Sequence, residues 1–274
     1  MESIEVLKGA GQILYGPHTV GGVINYLTPS IPRSPQGGVA LSGGTRAFTS
    51  LHAKAGGTFG EAGGTGLLAD YIRRSGDGAR ANTSSEVDDV SLKLLVPLSP
   101  TQQLSLRGNA YRERSTVTYS GLTEAEYAAD PRQNPFVNDG FDITRVGGAL
   151  AHRVGRNDRR SLTTTLYAYR INRDWWRQSS NSAQRPNDLS DPNCGGMANL
   201  STTCGAEGRL REYVVVGLEP RARWQWLHAR AVVELDAGAR VHHESQERLQ
   251  VNTSTPRGRS VGATGNVNAG LVED

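Results

Sequence analysis

Three groups of residues have types and spacings that could do chemistry. His242, His243 and Glu244 are consecutive and offer three potential metal ligands. Consecutive residues of a strand point to opposite faces, so the two histidines cannot both reach one ion without distortion, and no metal site is expected there. Cys194 and Cys204 lie in a polar segment rich in Gly, Asn, Ser and Thr. Such a pair suits a disulfide made in an oxidising compartment, with free thiols as the alternative; no further zinc ligands are placed nearby. The third group is arginine. Residues 177–208 have Arg at both flanks and only Asp188, Asp191 and Glu207 as acids. Guanidinium keeps its charge and grips carboxylates bidentately. Gly9 and Gly11 open a dinucleotide fingerprint, but that motif needs a third glycine where Leu14 stands. No nucleophile elbow, zinc-protease helix or phosphate loop occurs.

The elements that must position these groups repeat with a period of two, not 3.6. In Val90–Leu98, Val90, Leu92, Leu94, Val96 and Leu98 share one face, with Ser91 and Lys93 on the other. In Leu104–Arg112, Leu104 and Leu106 alternate with Ser105, Arg107 and Asn109. In Thr163–Trp175, Thr165, Tyr167, Tyr169 and Ile171 oppose Thr164, Ala168, Arg170 and Asn172. In Ala231–His242, an Ala/Val/Leu face opposes Glu234, Asp236, Arg240 and His242. A globular strand has about 5–6 residues, whereas a tilted membrane-crossing strand needs about 9–11, and these runs reach the second length. Short connections (Phe59–Gly64, Ser99–Gln102) mix with long ones (Tyr119–Gly140, Arg177–Gly208, Glu244–Ser260), the asymmetry of outer-membrane barrels. Tyr111, Tyr119, Trp175, Trp176, Trp224 and Trp226 sit at strand ends, as interfacial girdles do. The competing reading is a soluble sandwich with an aromatic core.

Composition agrees. Hydrophobic residues make up 36% and mean hydropathy is -0.47. No apolar run is long enough for a membrane helix, and Met1–Glu5 does not read as a signal peptide, which leaves a cytosolic chain or an incomplete copy of an exported one. The 30 basic and 27 acidic residues balance too closely for nucleic-acid binding. Residues 1–30 differ from the rest, with short β-rich runs joined by Gly turns. Pro29, Pro32 and Pro35 follow as a linker that cannot sit in a central strand. A boundary is expected at residue 35.

The run Ile4-Glu5-Val6-Leu7-Lys8-Gly9-Ala10-Gly11, then Tyr15-Gly16, then Gly21-Gly22-Val23-Ile24-Asn25 and Thr28-Pro29, resembles the closing signature of the plug of TonB-dependent outer-membrane receptors. Glu5, Lys8, Gly9, Gly11, Tyr15, Gly16, Gly21, Gly22 and Asn25 carry that likeness. Leu122-Thr123, Glu126-Tyr127, Asp130–Phe136 and Asn138-Asp139 look like a surface loop of the ferric citrate receptors in that family, and Arg173–Asn181 like the strand end and loop that follow. The resemblance implies an all-β transmembrane antiparallel barrel preceded by the end of a plug, residues 1–35 being plug and 36–274 the first part of the barrel. Glu5 and Lys8 are then expected to meet charges on the inner wall. Arg107, Arg170, Glu234, Asp236 and Arg240 are expected to line it.

The same resemblance implies a receptor of the Gram-negative outer membrane that captures a ferric chelate and is energised by TonB. It implies transport rather than catalysis, so no enzyme, and no cofactor; outer-membrane lipid and ferric citrate or another siderophore are the implied partners. Arg173, Arg177, Gln178, Arg185, Arg209, Arg211 and Arg248 are the candidate ligand residues, with Arg177, Gln178, Arg185 and Arg248 favoured. Receptors of this kind close with about 22 strands, and this chain supplies roughly nine or ten, so it is expected to be an incomplete, non-functional piece. The alternative is a small closed β-barrel pore or adhesin.

Overall fold

The computed structural model describes residues 2–9, 21–60, 64–118, 121–134, 136, 139–157, 159–178, 206–228, 231–252 and 267–273. A two-stranded sheet comes first, β1 (Ser3–Lys8) against β2 (Gly22–Leu27). An antiparallel sheet of eleven elements follows. These are β3 (Gln36–Gly43), β4 (Thr49–Phe59), β5 (Thr65–Asp77), β6 (Ser84–Ser99), β7 (Gln102–Ser115), β8 (Gly140–Asn157), β9 (Arg160–Gln178), β10 (Ala206–His228), β11 (Ala231–Gly238), β12 (Val241–Asn252) and β13 (Val267–Glu273). One short helix, α1 (Glu124–Ala129), lies between β7 and β8 and starts at a capping box formed by Thr123 and Glu126. Each strand pairs with the next, and among the described residues the first and last, β3 and β13, do not pair with one another. The described sheet is open, which argues against a small closed barrel.

β11 and β12 are one strand with a gap. Both pair with β10, and Gly238 faces Arg221 while Val241 faces Leu218, so Ala239–Arg240 match Glu219–Pro220 without a slip. Pro220 has no N–H to give its neighbour. The ladder keeps only the bond from Ala239 N–H to the Pro220 carbonyl at 3.1 Å. The eleven elements therefore make ten strands.

Connections at one end of the sheet are short: 60–64, 100–101, 158–159 and 229–230. At the other end they include 116–139, 179–205 and 253–266. The expected loop from Glu244 to Ser260 is corrected, because the strand β12 continues to Asn252. The polar residues 242–250 look like a loop in sequence, but they alternate on a strand whose even face is polar.

Directly opposed residues share a face, so the register sorts every side chain. One face carries Val39, Leu41, Leu67, Leu92, Leu106, Val146, Leu150, Leu166, Val216, Leu218, Trp224, Trp226 and Val241, all exposed, with Leu41 77% and Val241 70% accessible. Among the described residues the buried apolar side chains are Leu68, Phe136, Trp176 and Val215. Among the described residues no second layer covers the apolar face as it would in a sandwich. So wide an exposed apolar surface marks contact with lipid or another apolar phase. On β10 the apolar positions run from Val214 to Trp226, about 40 Å along the strand at about 3.3 Å per residue. Tilted by about 45°, that is about 28 Å, the height of an outer-membrane apolar band.

The band has charged borders. Beyond it at the long-loop end, on the same face, Arg73 pairs with Glu86 at 2.5 Å and Asp88 at 3.1 Å, and Arg170 with Glu212 at 2.7 Å. Arg170 is thus outward-facing, a correction to its expected place on the inner wall; β9 alternation puts it with Leu166 and Ala168. Trp224 and Trp226 mark the short-turn border as girdle residues. The other girdle expectations are corrected. Tyr111 and Trp175 lie on the polar face, and Trp176 is buried against Leu210 and Leu249. Tyr119 lies outside the described residues.

The linker 28–35 crosses the polar face near the short turns. Lys93 Nζ donates to the Pro29 carbonyl at 2.6 Å and the Thr28 carbonyl at 3.2 Å. Thr58 Oγ1 donates to the Pro32 carbonyl at 2.9 Å. Lys93 faces Arg107 across the ladder, and these carbonyls offset that like-charge contact. Glu2 accepts from the Ser30 hydroxyl at 2.7 Å and the Ser30 N–H at 2.6 Å. Those bonds, hydroxyl first, hold its carboxyl below the usual range. Among the described residues the Glu5 carboxylate accepts from Asn25 Nδ2 at 2.9 Å inside the small sheet. Gly9 has φ 89° and Gly22 φ 141°, and a Cβ on Gly22 would sit 2.7 Å from the Leu7 carbonyl, so both positions require glycine.

The two faces make opposite predictions for one substitution. Leu106→Arg, in the middle of the apolar band, is expected to cost about 2–4 kcal/mol in lipid vesicles, while Ser105→Arg on the polar face costs under about 1 kcal/mol. Denaturant titration of the vesicle-bound protein measures both; equal losses would contradict the facing.

Candidate functional site

The polar face changes character along its length. At the short-turn end, opposite charges pair across strands. Arg223 grips Asp236 at 2.8 and 3.1 Å and lies 3.3 Å from Glu234. Arg240 reaches Glu219 at 2.9 Å, and Arg221 also pairs with Glu219. Glu234, Asp236 and Arg240 therefore line the wall as a ladder. Exposed pairs of this kind contribute little each; they fix register, since a one-residue slip would turn them toward the apolar side.

At the long-loop end the rule reverses. Arg173 on β9 faces Arg211 on β10, which faces Arg248 on β12. Three guanidinium-bearing residues thus occupy one row on adjacent strands, where like charges directly opposed destabilise a sheet. Arg209 stands one step farther out and Arg177 two, and both guanidinium groups lie over the Trp175 ring, at 5.8 and 5.3 Å from its centre. The positive charges of Arg211 and Arg209 both act on Arg173. Gln246 is buried beside the row and accepts from Arg248 Nε. Among the described residues, nothing accepts a hydrogen bond from the buried Nε atoms of Arg173 and Arg211. Five arginines, an indole and a carboxamide thus share one end of the polar face, a set of groups whose chemistry suits a multiply charged anion.

Of the favoured residues, the structure brings together Arg177 and Arg248, through Arg209 and Arg211. Gln178 ends β9. Arg185, Cys194 and Cys204 lie outside the described residues, as do Gly11, Tyr15 and Gly16. Sequence reasoning ranked Arg173 and Arg211 below the loop arginines. The signal that would have raised them is the register, which places residues 38 and 37 positions apart in one row, and register is not visible in a single strand's alternation.

The row predicts a conflict between stability and binding. Arg211→Gln removes the central charge, so the unliganded protein is expected to gain about 0.2–1 kcal/mol while losing anion affinity. Chemical unfolding without ligand tests the gain; a loss of stability would show that the three charges are already compensated.

The chain matches no protein-family model. Its structure is similar to that of the ferric citrate transporter FecA in the unliganded form, with TM-score 0.77 and 21% identity over 98% of this chain and 38% of that one. The ferric-catecholate import receptor Fiu of E. coli K12, in its open form, gives TM-score 0.71 and 16% identity, covering 97% of this chain and 43% of Fiu. BauA, the ferric preacinetobactin receptor of Acinetobacter baumannii, gives 0.72 and 14%, covering 97% and 41%. The chain spans about two fifths of the length of these receptors. It has their antiparallel β-barrel fold as a partial barrel, the fold that the plug-like sequence implied.

Proposed function

We propose that the chain is part of an outer-membrane receptor that takes up an anionic ferric chelate, ferric citrate being the reading the residues favour, energised through TonB. Residues 1–35 are then the end of the plug and 36–274 the first part of the barrel. The row Arg173–Arg211–Arg248 carries this reading. A dicitrate complex is small, polar and negatively charged, and it needs several bidentate forks rather than apolar walls. The site lies at the end bearing the long connections, which is the outer side in barrels of this kind. The resemblance of 122–139 and 173–181 to ferric citrate receptors points the same way, and FecA, among the similar structures, is named as a ferric citrate transporter. The apolar band supports outer-membrane lipid as the surrounding phase.

Trp175 sits under two of the arginines and reports on the site. Ferric citrate added to the protein in detergent is expected to quench tryptophan fluorescence in a saturable, salt-sensitive way. Arg173→Ala and Arg248→Ala should each weaken binding by about tenfold or more, since a charge-assisted hydrogen bond contributes about 1.5–3 kcal/mol. Free citrate serves as the comparison. Quenching that is unaffected by both substitutions would overturn the site.

A further inference from the structure

Three rows below the arginines, the polar face holds a second constellation that the anion site does not use. Tyr167 on β9 faces Gly217 on β10, which faces His242 on β12. Gly217 has no side chain to separate them, and a Cβ there would fall 2.2 Å from the Tyr167 Cζ and hydroxyl. The Tyr167 ring therefore lies across β10, and its hydroxyl stands 2.9 Å from His242 Nδ1. On the other side of the imidazole, Nε2 is 3.7 Å from the Glu244 carboxylate. His243 points to the opposite face, so it takes no part.

We propose that Tyr167 and His242 form a two-donor coordination site for a ferric ion that arrives still held by its chelator, with Glu244 as the positioning residue of the imidazole. Two donors about 2.0–2.1 Å from a metal and at right angles to each other lie about 2.9 Å apart, the separation seen here. A phenolate and an imidazole suit a hard or borderline cation. A carboxylate on the far ring nitrogen is the usual outer partner of a metal-bound histidine, fixing tautomer and orientation. Two protein donors cannot enclose an octahedral ion, so a chelator must fill the remaining positions. On binding, two of the atoms already coordinating the iron, waters or carboxylates of its chelator, leave it, the phenol proton of Tyr167 passes to solvent water, and Fe–O and Fe–N bonds take their place; no electron is transferred. The inference rests on the polar face being the path of a ferric chelate. It assigns a place where that chelate is held through the metal after the arginines have held it through its charge.

The test uses ferric nitrilotriacetate, a chelate that leaves a neighbouring pair of positions open, with the full chain in detergent micelles. Titration is expected to produce a visible phenolate-to-iron charge-transfer band that saturates at one iron per chain. Tyr167→Phe should abolish it, and Glu244→Gln should weaken it by about 10–100-fold. Gly217→Ala keeps every ligand but pushes the phenol aside, and should lose the band as well. Arg211→Gln should leave the band intact while impairing ferric citrate binding, so failure of either site is seen separately. Absence of a band in the unaltered chain, or a band that persists in Tyr167→Phe, overturns the proposal.

Discussion

Backbone hydrogen bonding in a phase without water governs this structure. In hydrocarbon an unpaired N–H or C=O costs several kcal/mol, and only helices or laterally paired strands avoid that cost. The chain answers with strands of up to 23 residues, each laid antiparallel against the next. Pairing of that length fixes alternation over the whole sheet, and alternation fixes two faces. The apolar face is what lipid permits; the polar face is what remains for chemistry. Even the break opposite Pro220 keeps the register of the strand it divides, and the register shifts at Pro97/Ser99 and Gly155/Asn157 fall beside the short turns.

On the polar face the same ladder serves two ends. Where charges alternate in sign, as at Arg223 with Asp236, they hold register. Where they share a sign, as at Arg173, Arg211 and Arg248, they oppose the sheet that carries them, and the backbone bonds keep them in place. A site that is strained by its own charge is relieved by a ligand of the other sign. Glycines set the spacing: Gly217 lets Tyr167 lie across a strand, and Gly208 leaves room for Trp176, whose ring a Cβ would approach to 2.7 Å.

Much of the architecture was legible in the sequence because a period of two survives wherever one face is apolar throughout. Val90–Leu98 and Ala231–His242 showed this directly, and the Pro-rich stretch before Gln36 marked the start of the large sheet. β9 was harder to read. Tyr167, Tyr169 and Ile171 look like the lipid side by hydrophobicity, yet the register turns them inward with Arg107, while Leu162 and Leu166 face out. Aromatic residues are amphipathic, so their type does not reveal their face. The arginine row and the Tyr167–His242 contact were invisible for a different reason: each joins strands that are neighbours only after folding. The loop resemblance found the region and the register found the residues.

Everything here depends on β10 having one lipid face and one aqueous face. Single cysteines placed along it in a protein with Cys194 and Cys204 replaced by serine, and inserted into lipid vesicles, can be probed with a water-soluble maleimide. The account predicts labelling at Tyr213, Arg221 and Arg223 and protection at Val214, Val216, Leu218 and Ala222. Equal labelling of both sets, or protection of the polar-face set, would contradict it.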